Sequence, residues 1–113
     1  MQIDERRQAD IVILRPVGRI DNVASADFQD RLLAVIATDI KACIVDLSQV
    51  PYIASYGMRA IIATARATPP ERRFAVAAAG TVVAEVFRVA RLAHVVPIFD
   101  TVAEAEAGLS RAC

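Results

Sequence analysis

The stretch from Asp46 to Arg59 (DLSQVPYIASYGMR) carries the residue types and order most suggestive of chemistry in this chain. It reads as a strand ending near Asp46, a loop through Pro51 and Tyr52, and a helix that opens at Ser55. The first N–H groups of a helix lack acceptors within it and carry a partial positive charge. A serine at that point has two readings. Its hydroxyl caps the helix by accepting one of those N–H groups, or it accepts a phosphoryl group whose oxygens the same N–H groups stabilise. Gly57, just inside the helix, leaves the backbone open to close approach by a partner. Asp21 and Asn22, which follow Gly18-Arg19-Ile20, either cap the next helix or face a partner. Asp46 is expected to make structural hydrogen bonds. Arg59, one turn into its helix, is a solvated charge or a partner contact.

Other chemistries lack their residues. The glycines at 18, 57, 80 and 108 are too sparse for a dinucleotide fingerprint or a phosphate-binding loop. No GxSxG nucleophile motif occurs. His94 is the one histidine, it sits beside Ala93 and Val95, and it has no evident nucleophile to serve. It reads as a turn or partly buried histidine. Metal ligands are not clustered. Arg88 and Arg91 read as surface charges. We therefore expect no catalytic site, no metal and no cofactor, and a protein that is not an enzyme.

Charge and composition narrow the partners. The 13 basic and 13 acidic residues balance, which argues against binding to nucleic acid or to an anionic membrane surface. Hydrophobic residues make up 56%, but 22 of them are Ala and aromatics reach only 5%, so bulky apolar side chains are fewer than the total suggests. Twelve Arg against one Lys, with so much Ala, reads as the codon bias of a GC-rich genome. Cys43 and Cys113 form no CxxC pair and read as reduced thiols of a cytoplasmic protein. The first ten residues hold no apolar core of a signal peptide. No apolar run approaches the ~18 residues of a membrane-spanning helix.

These residues need a scaffold to position them. The length of 113 residues suits one domain, 1–113, with a core over about 10–109. Ile11 to Val17 reads as a strand, with Pro16 marking an edge or a strand end. Gln2 to Arg7 pairs with it through the turn at Gln8-Ala9-Asp10. Val23, Phe28, Leu32, Leu33, Val35 and Ile36 form a helical stripe after Asp21 or Asn22. Ile44 to Leu47 is a buried strand. Met58, Ile61, Ile62 and Ala65 give the apolar side of the helix from Ser55, and Thr68-Pro69-Pro70 ends it. Phe74 to Ala77 is a third core strand. Thr81 caps a helix with Val82, Val83, Val86 and Phe87 inward. Val95 to Phe99 is a last strand, and Thr101 caps a closing helix through Leu109. Strands alternating with helices predict an α/β domain: a mixed, mostly parallel sheet of four to five strands with about four helices packed on it.

In this order the pieces resemble the STAS domain, shared by bacterial anti-sigma factor antagonists and the cytoplasmic tails of sulfate transporters. The likeness rests on Val17-Gly18-Arg19-Ile20-Asp21, on Cys43 to Leu47 with Ser48 and Val50, and on Tyr52 to Arg59. It extends through Ala84 to Leu92, Ile98-Phe99 and Glu104-Ala105. The resemblance implies a regulatory binding module whose partner is an anti-sigma factor that is also a serine protein kinase. It implies that Ser55 is the phosphoacceptor and that phosphorylation weakens the complex. Asp21, Asn22, Ala54, Tyr56, Gly57 and Arg59 would be covered by the partner. The chain departs from the family at two positions: Ala54 stands where Asp is usual, and Tyr56 where a small residue is usual. Tyr56 either crowds the acceptor or adds a partner contact.

Two other functions stay open. One is a subunit of a lipid-transport complex that binds an ABC-type ATPase without phosphorylation, which the departures at Ala54 and Tyr56 fit. The other is a ligand sensor or enzyme using the edge of the sheet. Weak homodimerisation is also left open.

Overall fold

Strand alternation decides the architecture. In a computed structural model describing residues 1–111, β1 (Gln2–Gln8), β2 (Ile11–Val17), β3 (Ala42–Asp46), β4 (Arg73–Ala77) and β5 (Ile98–Phe99) form one sheet in that spatial order. β1 runs antiparallel to β2, and every other neighbour is parallel. Cys113 lies outside the described residues.

The helices are α1 (Ala24–Ile36), α2 (Ser55–Ala67), α3 (Thr81–Val89) and α4 (Val102–Arg111), with a 3-10 turn at Leu92–His94. One sheet face presents Val12, Leu14, Cys43, Val45, Phe74 and Val76 to α1, α2 and α3, which bury Phe28, Leu32, Met58, Ile61, Val83 and Phe87 against it. The opposite face presents Ile11, Ile13, Ala42, Ile44, Ala75 and Ala77 to α4 through Ala105 and Leu109. Both faces of the three central strands are therefore covered, which is why they read as continuous apolar runs. Alanines at 42, 75, 77 and 105 leave room for α4 on this face. A Cβ at Gly108 would come within 2.8 Å of the Phe99 ring.

β1 is a charged edge, and its charges hold it to both layers. Asp4 pairs with Arg15 across the hairpin at 2.8 Å, Glu5 with Arg31 of α1 at 3.0 Å, and Arg6 with Glu106 of α4 at 3.7 Å. The Arg15 guanidinium holds the Asp4 carboxyl below its ordinary range. Charge along an edge strand also discourages pairing with another chain. Pro16 sits past the parallel ladder: β3 pairs with β2 only over Ile11–Leu14, and Pro16 faces Ile3 of β1. It marks the strand's end, in an interior strand.

Several expectations need correction. Val23 is 88% exposed because the turn from Asp21 ends just before α1, out of phase with its stripe. Val82 is 58% exposed, and α3 buries Val83 and Phe87 instead. Thr81 is the first helical residue of α3, and Gly80 holds the cap position without a side-chain bond. Val95 and Val96 do not join the last strand. A 3-10 turn precedes them, Arg91 takes a left-handed conformation (φ 56°), and only Ile98 and Phe99 pair with β4. Thr101 does accept the Glu104 N–H at 3.0 Å, as expected of a cap.

Cys43 is fully buried, and burial pushes its thiol up to about 12. Only the thiolate reacts with disulfide reagents. In a Cys113→Ser background, Cys43 should stay unlabelled by a chromogenic disulfide at pH 8 until denaturant unfolds the chain. Labelling faster than global unfolding would contradict this burial.

Candidate functional site

Two loops at one end of the sheet build the site. The segment after β2 runs beside the segment after β3, joined by backbone bonds: Gly18 N–H to Gln49 O at 2.9 Å, Ile20 N–H to Tyr52 O at 2.9 Å, and Ala54 N–H to Ile20 O at 2.8 Å. Ile20 and Ile53 form an isolated parallel bridge. Both are apolar and 2% exposed or less, so the loops are anchored by burial as well as by hydrogen bonds. Leu47 and Val50 are buried too. Asp46 accepts the Ser48 N–H at 2.9 Å, the structural role expected of it.

This pairing sets the starts of α1 and α2 side by side. Asp21 follows Ile20, and its carboxylate accepts the Ala24 N–H at 2.9 Å. Its backbone carbonyl accepts from both the N–H and the hydroxyl of Ser25. Asp21 is thus exposed yet committed to starting α1. Asn22 is exposed in the same turn.

Ser55 follows Ala54 in the same way. Ala54 occupies the cap position of α2 with an extended backbone and no side-chain bond. Ser55 is the first helical residue, exposed, and its hydroxyl has no hydrogen-bond partner among the described residues. The capping reading of Ser55 is therefore set aside. The first turn of α2 contains no acidic side chain.

Two of the expected partner-facing residues point inward. Ala54 is 8% exposed. Gly57 is buried, and a Cβ there would meet Ile53 Cγ1 at 2.7 Å and Ile20 Cγ2 at 2.8 Å. Its missing side chain lets α2 sit on the loop anchor and does not open backbone to a partner. Close packing is a tertiary fact that the residue type alone does not disclose.

The outer surface is aromatic and cationic. Tyr52 is 38% exposed and Tyr56 52%. The Arg19 guanidinium lies 4.8 Å from the Tyr52 ring centre, and that of Arg59 lies 5.2 Å from the Tyr56 ring centre. These are cation–π distances. Beside Ser55, a groove of about 650 Å³ runs between α2 and α3, lined by Tyr52, Met58, Ile62, Val86 and Val89, with Arg59 on its border. A smaller hollow of about 320 Å³ lies between α1 and α2, bordered by Asn22, Gln29, Tyr56 and Arg59. Arg59 divides the two. Arg19, Tyr52 and Val89 were not singled out from the sequence. The three-residue spacing of Tyr56 and Arg59 on a helix was the available signal for their contact.

The remaining candidates lie elsewhere. His94 is exposed in the 3-10 turn, and Arg88 is paired with Glu85 on the surface of α3. Among the described residues, no group of three His, Cys, Asp or Glu side chains is placed to hold a metal ion. No described helix is long and apolar enough to cross a membrane.

Covered parallel strands, an antiparallel edge hairpin and a loop-borne serine opening the second helix together define a class. The chain belongs to the STAS domain family, whose profile matches residues 2–105. Among curated relatives it is similar to the anti-sigma-F factor antagonist RsfB of Mycobacterium tuberculosis, with 26% identity over 99 residues, covering 88% of this chain and 81% of that one. Its fold matches the crystal structure of an anti-sigma factor antagonist from Mycobacterium paratuberculosis at a TM-score of 0.91 and 23% identity, covering 96% and 93% of the two chains. It also matches SpoIIAA, an anti-sigma factor antagonist solved in its unphosphorylated form, at 0.76 and 16% identity over 96% of each chain.

The packing at Gly57 makes a sign prediction. Helix propensity alone would make Gly57→Ala stabilising by up to ~1 kcal/mol. The contacts with Ile20 and Ile53 reverse this, because an inserted methyl group in a filled site costs about 1–3 kcal/mol. Thermal unfolding of Gly57→Ala should therefore occur several degrees lower than in the parent. A raised midpoint would show that the loop anchor yields freely.

Proposed function

We propose that this protein is an anti-sigma factor antagonist: a non-enzymatic module that binds an anti-sigma factor and is released when Ser55 is phosphorylated by that partner's serine kinase activity. The observation that carries the reading is Ser55 itself. Its hydroxyl is exposed and unbonded at the border of an apolar groove, where the family pattern has its phosphoacceptor. The names of the relatives support the same reading.

The mechanism is one of interface electrostatics. The unmodified face offers Tyr52, Tyr56 and the α2–α3 groove, with rings and apolar side chains of the kind that anchor binding. A phosphate adds a charge of about −1.5 to −2. Covering that charge with a partner would strip much of its water, and burying a charge is costly unless it is fully paired and hydrogen-bonded. The rest of the surface need not move for affinity to fall.

Ala54 favours a second reading. Position 54 brings no carboxylate to orient the serine, which fits a STAS subunit docking on an ABC-type ATPase without phosphorylation. Affinity purification separates the two: recovery of a transport ATPase in place of a serine kinase would favour the second.

The principal test measures binding to the genomically adjacent kinase by calorimetry. Ser55→Asp should weaken the complex about tenfold or more, equivalent to ~1.4 kcal/mol. Ser55→Ala should bind within about threefold of the parent, ~0.7 kcal/mol. Equal affinity for both variants would reject the switch. Incubation with that kinase and ATP should add one phosphate, located at Ser55 by mass spectrometry.

A further inference from the structure

The contact between Tyr56 and Arg59 concerns what happens after modification. Arg59 lies four residues beyond Ser55 on α2, one helical turn on, where side chains share a face. It also lies three residues beyond Tyr56 and holds its guanidinium over that ring, 5.2 Å from the centre. A guanidinium stacks with its flat face and hydrogen-bonds with its edge. With the guanidinium carbon over the Tyr56 ring, a flat-stacked guanidinium would keep its N–H edge free. Stacking also limits the swing of a long side chain whose freedom otherwise opposes any ion pair.

The neighbouring charges leave Arg59 uncommitted. It makes no ion pair among the described residues. Glu85 borders the same groove but is bonded to Arg88, with Nε to Oε2 at 3.0 Å. Asp21 accepts the Ala24 N–H. Ala54 brings no carboxylate, and no acidic residue stands in the first turn of α2. The other cation of this face, Arg19, is held over Tyr52 in the loop and lacks the one-turn spacing.

We propose that Tyr56 and Arg59 form a receptor in cis for a phosphate on Ser55, with Arg59 supplying the charge-assisted bonds and Tyr56 acting as its positioning residue. The proposal rests on reading Ser55 as a phosphoacceptor, and it adds how the modified state is held. Phosphorylation then changes the binding face twice: it adds a dianion beside the groove, and it withdraws the one cation of α2 that borders both hollows. The bulky residue at position 56 thereby acquires a role within the chain itself.

The test installs phosphoserine at position 55 by genetic encoding, so it needs no kinase. The second ionisation of phosphoserine lies near pH 6 and is followed by phosphorus NMR. A nearby guanidinium favours the dianion and lowers that midpoint. At an exposed site the parent midpoint should lie about half a pH unit below that of Arg59→Gln. Arg59→Lys should restore part of the shift, since charge remains and the planar fork does not. Tyr56→Leu should lose roughly half of it, because the cation stays but is no longer held. The same midpoint in the parent and in Arg59→Gln would overturn the proposal. A Tyr56→Leu midpoint matching the parent would remove Tyr56 from it. The Tyr56 and Arg59 side chains are both exposed and an exposed cation–π contact is worth at most about 1 kcal/mol, so every variant should stay folded at the temperature of the titration. Failure of a kinase to phosphorylate Ser55 would count against the acceptor reading alone, because the installed phosphate reports on the receptor independently.

Discussion

The short parallel bridge between Ile20 and Ile53 is the contact on which the candidate site of this protein depends. Neither residue belongs to a full strand. Yet both are almost completely buried, and the flanking backbone bonds extend the β2–β3 relationship past the end of the sheet. Loops usually leave their polar backbone to water. Here Gly18, Ile20 and Ala54 donate across the pair, and the loops carry the order of a sheet. Everything exposed at the site is attached to this anchor. Asp21 follows Ile20 and starts α1; Ser55 follows Ala54 and starts α2. Gly57 closes the arrangement, because only a residue without a Cβ lets α2 rest on both isoleucines.

The rest of the fold packs beneath that anchor and leaves Tyr52, Ser55, Tyr56 and Arg59 exposed. Three helices cover one face of the sheet with large apolar side chains, and a single helix covers the other, where alanines of β3, β4 and α4 alternate with isoleucines and Leu109. The abundance of Ala is thus partly geometric: it sets how near α4 can lie to β3 and β4. The balanced charges are not scattered evenly either. Asp4, Glu5 and Arg6 of β1 are used in pairs that tie the edge hairpin to its neighbours. At the site, the arginines meet aromatic rings instead of carboxylates.

What was legible in the sequence followed from local periodicity. The strand order and helix order, the inward positions Phe28, Leu32, Met58 and Ile61, and the caps by Asp21 and Thr101 can all be read from spacing and residue type. What was not legible depended on neighbours distant in the chain. Val82 and Val83 look alike in sequence, and only the direction from which the sheet meets α3 distinguishes them. The last strand shrinks because the left-handed Arg91 and the 3-10 turn use up the residues before it. Gly57 reads from sequence as backbone open to a partner, whereas the group that approaches it in the fold is the protein's own loop. Ser55 was rightly placed at a helix start, yet the cap position falls one residue earlier. Its hydroxyl is therefore not drawn into the backbone.

That one-residue offset bears on the two departures from the family pattern. An Asp at position 54 would sit at the cap, where its carboxylate has N–H groups of the first turn to accept, an interaction of about 1 kcal/mol. It would also add a negative charge next in sequence to any phosphate on Ser55. Ala54 removes the cap and the charge together, and its buried side chain supports the loop anchor instead. Arg59 has no carboxylate partner among the described residues, and the exposed ring of Tyr56 is what holds it. The two departures therefore act at different places: position 54 loses a capping anion, and position 56 gains a ring that lies under the Arg59 guanidinium without neutralising it. The helix start is left more positive than the family pattern would make it, around a serine whose hydroxyl is free.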